Sequence, residues 1–282
     1  MKKLFIVPFL LVSTLHGREI VEHQLDDSFV EKNKFKWSFS HKIIMDEVEH
    51  EYETHHIPLK FDYQQTSVGV DYGLDSRRLL RFGVAVNHQF RKIESGTELG
   101  DPTLSYWQRL SLDELDSHLT KDLGIEWTTG FLSEDKLKPH SGHRIGLNYR
   151  FGFGEKNNRA HGTYTLGYQE GIRSGEVSID GSFFYGMRFT YEHDLTEKFG
   201  LGISLNILRN TVNQNLLFFQ DKEESPSWET GGTFFANYLV QSDLKLRLAY
   251  TTENETSGFY RSKNPGDIDR ESKAISLALI WE

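Results

Sequence analysis

The chain of 282 residues contains no cysteine, three methionines and six prolines. Without cysteine it has no disulfide framework, thiol nucleophile, zinc–thiolate site or lipidated N-terminal cysteine. It also lacks any apolar run of about 18 residues, and its mean hydropathy is −0.52, which together exclude a helical multi-span membrane protein. Positive charge is scarce: 32 Lys and Arg face 41 Asp and Glu, for a net charge of −9. No basic block is available to neutralise phosphates, so nucleic acid is excluded as a partner. What the chain does have is aromatic residues, 13% of the total, and 24 glycines.

The first seventeen residues, MKKLFIVPFLLVSTLHG, carry Lys2 and Lys3, an apolar stretch from Leu4 to Leu15 and the small Gly17. This order is that of a secretory signal. As a helix the apolar stretch reaches roughly 18 Å, short of a ~30 Å bilayer core. Removing it leaves 30 basic against 41 acidic residues, a mature charge of −11. Residues 18–33 read as a polar periplasmic lead-in that reaches toward the lumen, and 34–282 as one domain.

That domain alternates with period two. Ile145, Leu147, Tyr149, Phe151 and Phe153 oppose Arg144, Gly146, Asn148, Arg150 and Gly152. Phe183, Tyr185, Met187, Phe189 and Tyr191 oppose Phe184, Gly186, Arg188, Thr190 and Glu192. Twelve strands are expected, near 34–45, 57–74, 79–91, 101–110, 122–131, 143–153, 160–171, 182–192, 200–212, 228–241, 244–253 and 272–282. In the second, the apolar positions move from odd (Ile57, Leu59, Phe61, Tyr63) to even (Val68, Val70, Tyr72), which predicts a bulge between. Long polar connections such as MDEVEHEYETHH, KIESGTELG and GIRSGEVSIDG alternate with mostly short ones such as DSRR and QSD. Outer-membrane barrels sort their loops in this way.

The apolar faces are bulky, while the opposite faces carry Lys36, Arg81, Arg109, Arg144, Arg150, Arg188, Lys245 and Arg247 with Asp71, Glu126 and Glu192. A membrane barrel turns the first face to lipid and keeps the second in its lumen. The fold class expected is therefore all-β, a twelve-stranded antiparallel transmembrane β-barrel in a bacterial outer membrane. Arg81, Arg109, Glu126, Arg144, Arg150, Arg188, Glu192 and Arg247 are expected to line its lumen. Eight cations over three anions there predict modest anion preference, if the barrel conducts. Tyr72, Trp107, Trp127, Phe153, Tyr168, Tyr191, Tyr250 and Trp281 are expected in interfacial girdles.

YGLDSRRLLRFGVAVNHQFR followed by GTELGDPTLSYWQRL resembles the outer-membrane family named for the meta-cleavage pathway of phenol degradation. The matching residues are Tyr72, Gly73 and Leu74, then Gly100, Asp101 and Pro102, within about forty residues. The resemblance implies a channel for small, often aromatic, compounds. The chain departs from most outer-membrane barrels at its end, where Glu282 follows Trp281.

Sites for chemistry are sparse. By strand number the barrel resembles the outer-membrane phospholipase family, for which His140, Ser141 and His143 are the nearest candidates. Adjacent His140 and Ser141 would face opposite ways on a strand. Asp46, Glu47, Glu49, His50, Glu51, Glu53, His55 and His56 form an acidic, His-containing stretch in which a hard cation or zinc is one reading and a solvated loop the other. On a helix His50 and His55 would lie about 140° apart, unlike a zincin pair. His88 and His161 read as structural hydrogen-bonders. The expectation is a non-enzymatic channel without a cofactor, whose partners are outer-membrane lipid, the barrel-insertion machinery and a small solute. A filled structural or surface-binding barrel and a barrel hydrolase are the alternatives.

Overall fold

The computed structural model describes residues 29–52, 55–90, 95–110, 119–129, 143–155, 157–174, 177–179, 181–211, 227–256 and 268–281. Its strands in chain order are β1 (Phe35–Tyr52), β2 (His55–Asp75), β3 (Arg78–Phe90), β4 (Ser95–Leu99), β5 (Thr103–Arg109), β6 (Leu119–Thr128), β7 (Arg144–Glu155), β8 (Asn158–Gln169), β9 (Ile172–Ser174), β10 (Val177–Ile179), β11 (Ser182–Asp194), β12 (Phe199–Asn210), β13 (Ser227–Gln241), β14 (Leu244–Thr256) and β15 (Ile268–Trp281). Every pairing is antiparallel, and β9 and β10, between β8 and β11 in the chain, form a separate two-stranded hairpin while β8 pairs directly with β11. β1 pairs with both β2 and β15, which closes the ring.

The result is a closed twelve-stranded antiparallel β-barrel. One stave is interrupted: β4 and β5 lie end to end along β3, separated by Gly100, Asp101 and Pro102. Proline has no N–H for the ladder, so it suits such a break. The Gly100 N–H donates to the Ala85 carbonyl at 2.7 Å, and Pro102 accepts from the Thr129 N–H at 3.0 Å.

Alternation places the apolar residues outward. Ile145, Leu205 and Phe234 are 53%, 53% and 62% exposed, whereas Ser40, Asp71 and Arg150 opposite them are buried. In water such a continuous apolar belt would be an aggregation surface, but in lipid it carries no penalty. From Phe183 to Tyr191, eight steps at ~3.3 Å and ~45° tilt give about 19 Å of height between aromatic residues. The turns at one end are short, for example Asp243 and its neighbour between β13 and β14, and the start of β1 and the end of β15 lie there too. The opposite end carries the longer connections.

Three expectations need correction. The MDEVEHEYETHH stretch is not a loop: β1 runs on through Tyr52 and β2 begins at His55, so its helical geometry does not apply. Polar strands beyond the lipid zone need no apolar stripe and so leave no periodic signal. Side chains at its tip, like His140 and Ser141, lie outside the described residues. β2 contains no bulge between Tyr63 and Val68, since its register with β1 is continuous from Tyr72 to His55. Tyr63 instead turns inward onto its cross-strand partner Ile44, which also faces Ala274, and the three form a small buried apolar cluster. Finally, Trp107 is not in a girdle. It shares the parity of Thr103 and Ser105 and is buried inside the barrel.

Before β1 the chain folds back against the short-turn mouth. Val30 packs on Leu79 and Trp107, with Phe29 beside them. Gly73 is required here, because a Cβ on it would stand within 2.5 Å of the Val30 and Glu31 carbonyl oxygens. Asn33 takes a positive φ of 62°, donates its N–H to the Gly73 carbonyl at 2.8 Å and accepts from the Tyr72 hydroxyl at 3.2 Å. Lys34 bonds Glu31 and holds that exposed carboxyl below its ordinary pKa range.

Candidate functional site: the charged interior

Cross-strand register builds the interior from units of three side chains. Asp71 on β2 stands between Lys36 on β1 and Arg81 on β3, directly opposite both. Arg81 grips it with Nε and Nη2, each at 2.8 Å, and the Lys36 Nζ lies 3.9 Å away. Asp122 on β6 stands in the same way between Arg109 on β5 and Arg150 on β7. It accepts from the Arg109 Nε at 3.0 Å and from the Arg150 Nη2 at 2.6 Å. In each unit one carboxylate serves two cations.

Glu192 on β11 is arranged differently. Arg159 on β8 is its direct neighbour and reaches it at 3.2 Å while also bonding Asp194. On the other side the register partner is Gly202, and across that gap Arg247 on β14 reaches Glu192 at 3.1 Å. Asn237 supports both partners, accepting from the Arg247 Nε at 2.7 Å and donating to Glu192 at 3.4 Å. This cluster of two cations and two anions is balanced.

A second repeating element positions the arginines. Trp107, Phe184 and Phe235 each cover a glycine directly across the strand boundary: Gly124, Gly167 and Gly202. Each ring carries a guanidinium, Arg150 at 5.0 Å, Arg144 at 3.9 Å and Arg247 at 4.2 Å from the ring centroid. Stacking and cation–π attraction hold the planar groups while their edges remain free to bond. Arg109 lies 4.3 Å over Phe29, which fastens the N-terminal fold-back to the same network.

All eight residues expected to line the lumen sit on the inward face. Arg81, Arg150 and Arg247 are buried, and Arg109, Glu126, Arg144, Arg188 and Glu192 are half-buried. Arg144 feels Glu126 as an opposing charge, and Arg188 lies opposite Thr163 and Asn206. The expected balance of eight cations to three anions is corrected. Asp122 is a fourth acid, and Glu229 and Glu253 share the inward parity toward the long-loop end, as does buried Lys42. Among the described residues the cationic excess is therefore smaller than the strand patterns implied. Asp122 escaped because it opened its expected strand, where an acid reads as part of the turn. His88 bonds the Thr97 hydroxyl at 3.1 Å, as expected of a structural histidine.

Neither a family model nor a curated protein matches this chain. Among solved structures it is similar to an outer-membrane channel from Pseudomonas putida F1, with a TM-score of 0.63 at 10% identity over 89% of this chain and 97% of that one. It is also similar to the NanC porin, with 0.50 at 10% over 84% and 98%. The translocator domain of the autotransporter NalP from Neisseria meningitidis gives 0.50 at 11% over 94% and 92%. These likenesses concern the fold, which hosts more than one task. With the lipid-facing belt, they place the barrel in the bacterial outer membrane.

Proposed function

We propose that the barrel is a channel for passive passage of small solutes, with modest preference for anions, rather than an enzyme. The observation that supports this most is the sharing of Asp71 and of Asp122 between two bases each. A net positive interior with low-dielectric walls focuses its field on solutes instead of losing it to screening. Charges facing bulk solvent, by contrast, are screened over a Debye length of about 8 Å. Likeness to the P. putida outer-membrane channel supports the channel reading, and the resemblance to the phenol-pathway family supports small, often aromatic, solutes as the class.

Reversal potentials in a salt gradient across planar bilayers test the reading. Anion preference that falls when Arg150 and Arg188 are replaced by glutamine supports it, and clear cation selectivity overturns it. A second reading, a filled barrel without conductance, draws on the complete burial of Asp122 and on Val30 seated in the short-turn mouth. Absent conductance favours that one.

A further inference from the structure

Arg209 is a charged residue on the outward face of β12. It tops the outward column Leu201, Ile203, Leu205 and Ile207 of β12, at the long-loop end. Its register partners are Tyr185 on β11 and Trp228 on β13, so the three form one outward row across three strands. Nη1 donates to the Tyr185 hydroxyl at 2.9 Å, and the guanidinium carbon lies 5.2 Å from the Trp228 ring centroid. Nε is buried and, among the described residues, has no hydrogen-bond partner. Glu229, the next residue after Trp228, faces the barrel interior instead, where it accepts from the Asn210 Nδ2 at 2.7 Å.

A guanidinium has five N–H donors and no acceptor, so one bond to a phenol leaves most of its capacity unused. At this height its neighbours outside the protein are lipid headgroups, and the group that matches its fork is a phosphate. We propose that the Tyr185–Arg209–Trp228 row is a lipid-phosphate site, taking a phosphate of lipopolysaccharide in the outer leaflet. Tyr185 and Trp228 fix the guanidinium in the headgroup plane, where interfacial aromatics reside. The site rests on the barrel standing with its longer connections outward. It is independent of whether the barrel conducts.

The test uses purified full-length protein in phosphatidylethanolamine vesicles with and without lipopolysaccharide, reading the unfolding midpoint by the heat-modifiable gel shift. Native mass spectrometry reads the glycolipid retained. Lipopolysaccharide should raise the midpoint of the native protein, and Arg209→Gln should lose most of that rise with a drop in retained glycolipid of roughly tenfold or more, about the effect of one charge-assisted bond. Tyr185→Phe, which keeps the charge and the ring, should fall between the two and serves if Arg209→Gln does not fold. Equal retention by the native protein and both variants overturns the site. So does an equal rise from inorganic phosphate or from phosphatidylglycerol, or a native protein indifferent to lipopolysaccharide.

Discussion

Trp107 lies flat against the bare backbone of Gly124, its ring atoms 2.6 to 2.7 Å from where a Cβ on that glycine would stand. The ring reaches this close only because its neighbour has no side chain, and it then carries Arg150 on its inner side while its own Nε1 donates to the Ser105 hydroxyl at 3.1 Å. Gly124→Val should therefore force the indole away and lower stability by about 1–3 kcal/mol, the usual range for overpacking. Gly146→Ala is the control, since its Cβ would meet Phe184 at an ordinary 3.6 Å. Unfolding midpoints in the same detergent compare the two, and equal midpoints would refute the packing argument.

Asp122→Asn tests the shared carboxylate. Two arginines would lose their common counter-charge in a buried setting, a loss of about 3–5 kcal/mol by analogy with broken buried pairs. Adding Arg150→Met should recover part of it, because one stranded cation is removed. Arg159→Ala at the half-exposed rim should cost no more than about 1 kcal/mol. Urea titration of the protein refolded into lipid measures all three.

The lipid face predicts a sharp contrast between adjacent positions. Leu205→Arg puts a guanidinium into the apolar belt and should cost up to about 2–4 kcal/mol near the midplane. Ser204→Arg, one residue away on the inward face, should be much milder. Folding yield in vesicles distinguishes them, and equal penalties would reverse the two faces.

The N-terminal fold-back should release when its seat is filled. Gly73→Leu would collide with the Val30 and Glu31 carbonyls and expose the segment before β1 to protease without melting the barrel. Acid should act in the same direction. Glu31 has a lowered pKa through its bond from Lys34, so this contact is present above the ordinary carboxylate range and is lost as pH falls through the lowered value. Limited proteolysis at neutral and acid pH reads both effects.

Twelve staves were legible because a lipid-facing strand must alternate, and the same alternation gives Arg150, Arg188 and Arg247 their inward parity. Trp107 was misplaced although its parity was readable: Leu104 and Tyr106 already formed the outward set. The inward shift at Tyr63 looked like a bulge because an apolar residue inside the barrel and one outside it are the same letter. Which carboxylate serves which arginine was not legible at all. Asp122 meets Arg109 and Arg150 through register between separate strands, and so does Phe184 with Gly167.

The placement of Asp71 and Asp122 on the middle strand of three has a consequence for assembly. Sliding one strand by two residues past its neighbour would keep every apolar side chain in lipid, so the membrane itself cannot detect the error. Such a slip of β6 would, however, move Asp122 away from Arg109 and Arg150 together and draw Gly124 from beneath Trp107. A slip of β2 would part Asp71 from Lys36 and Arg81. The acids thus act as alignment marks, read on both sides at once, and tell a correctly zipped wall from one that is merely hydrophobic on the proper side.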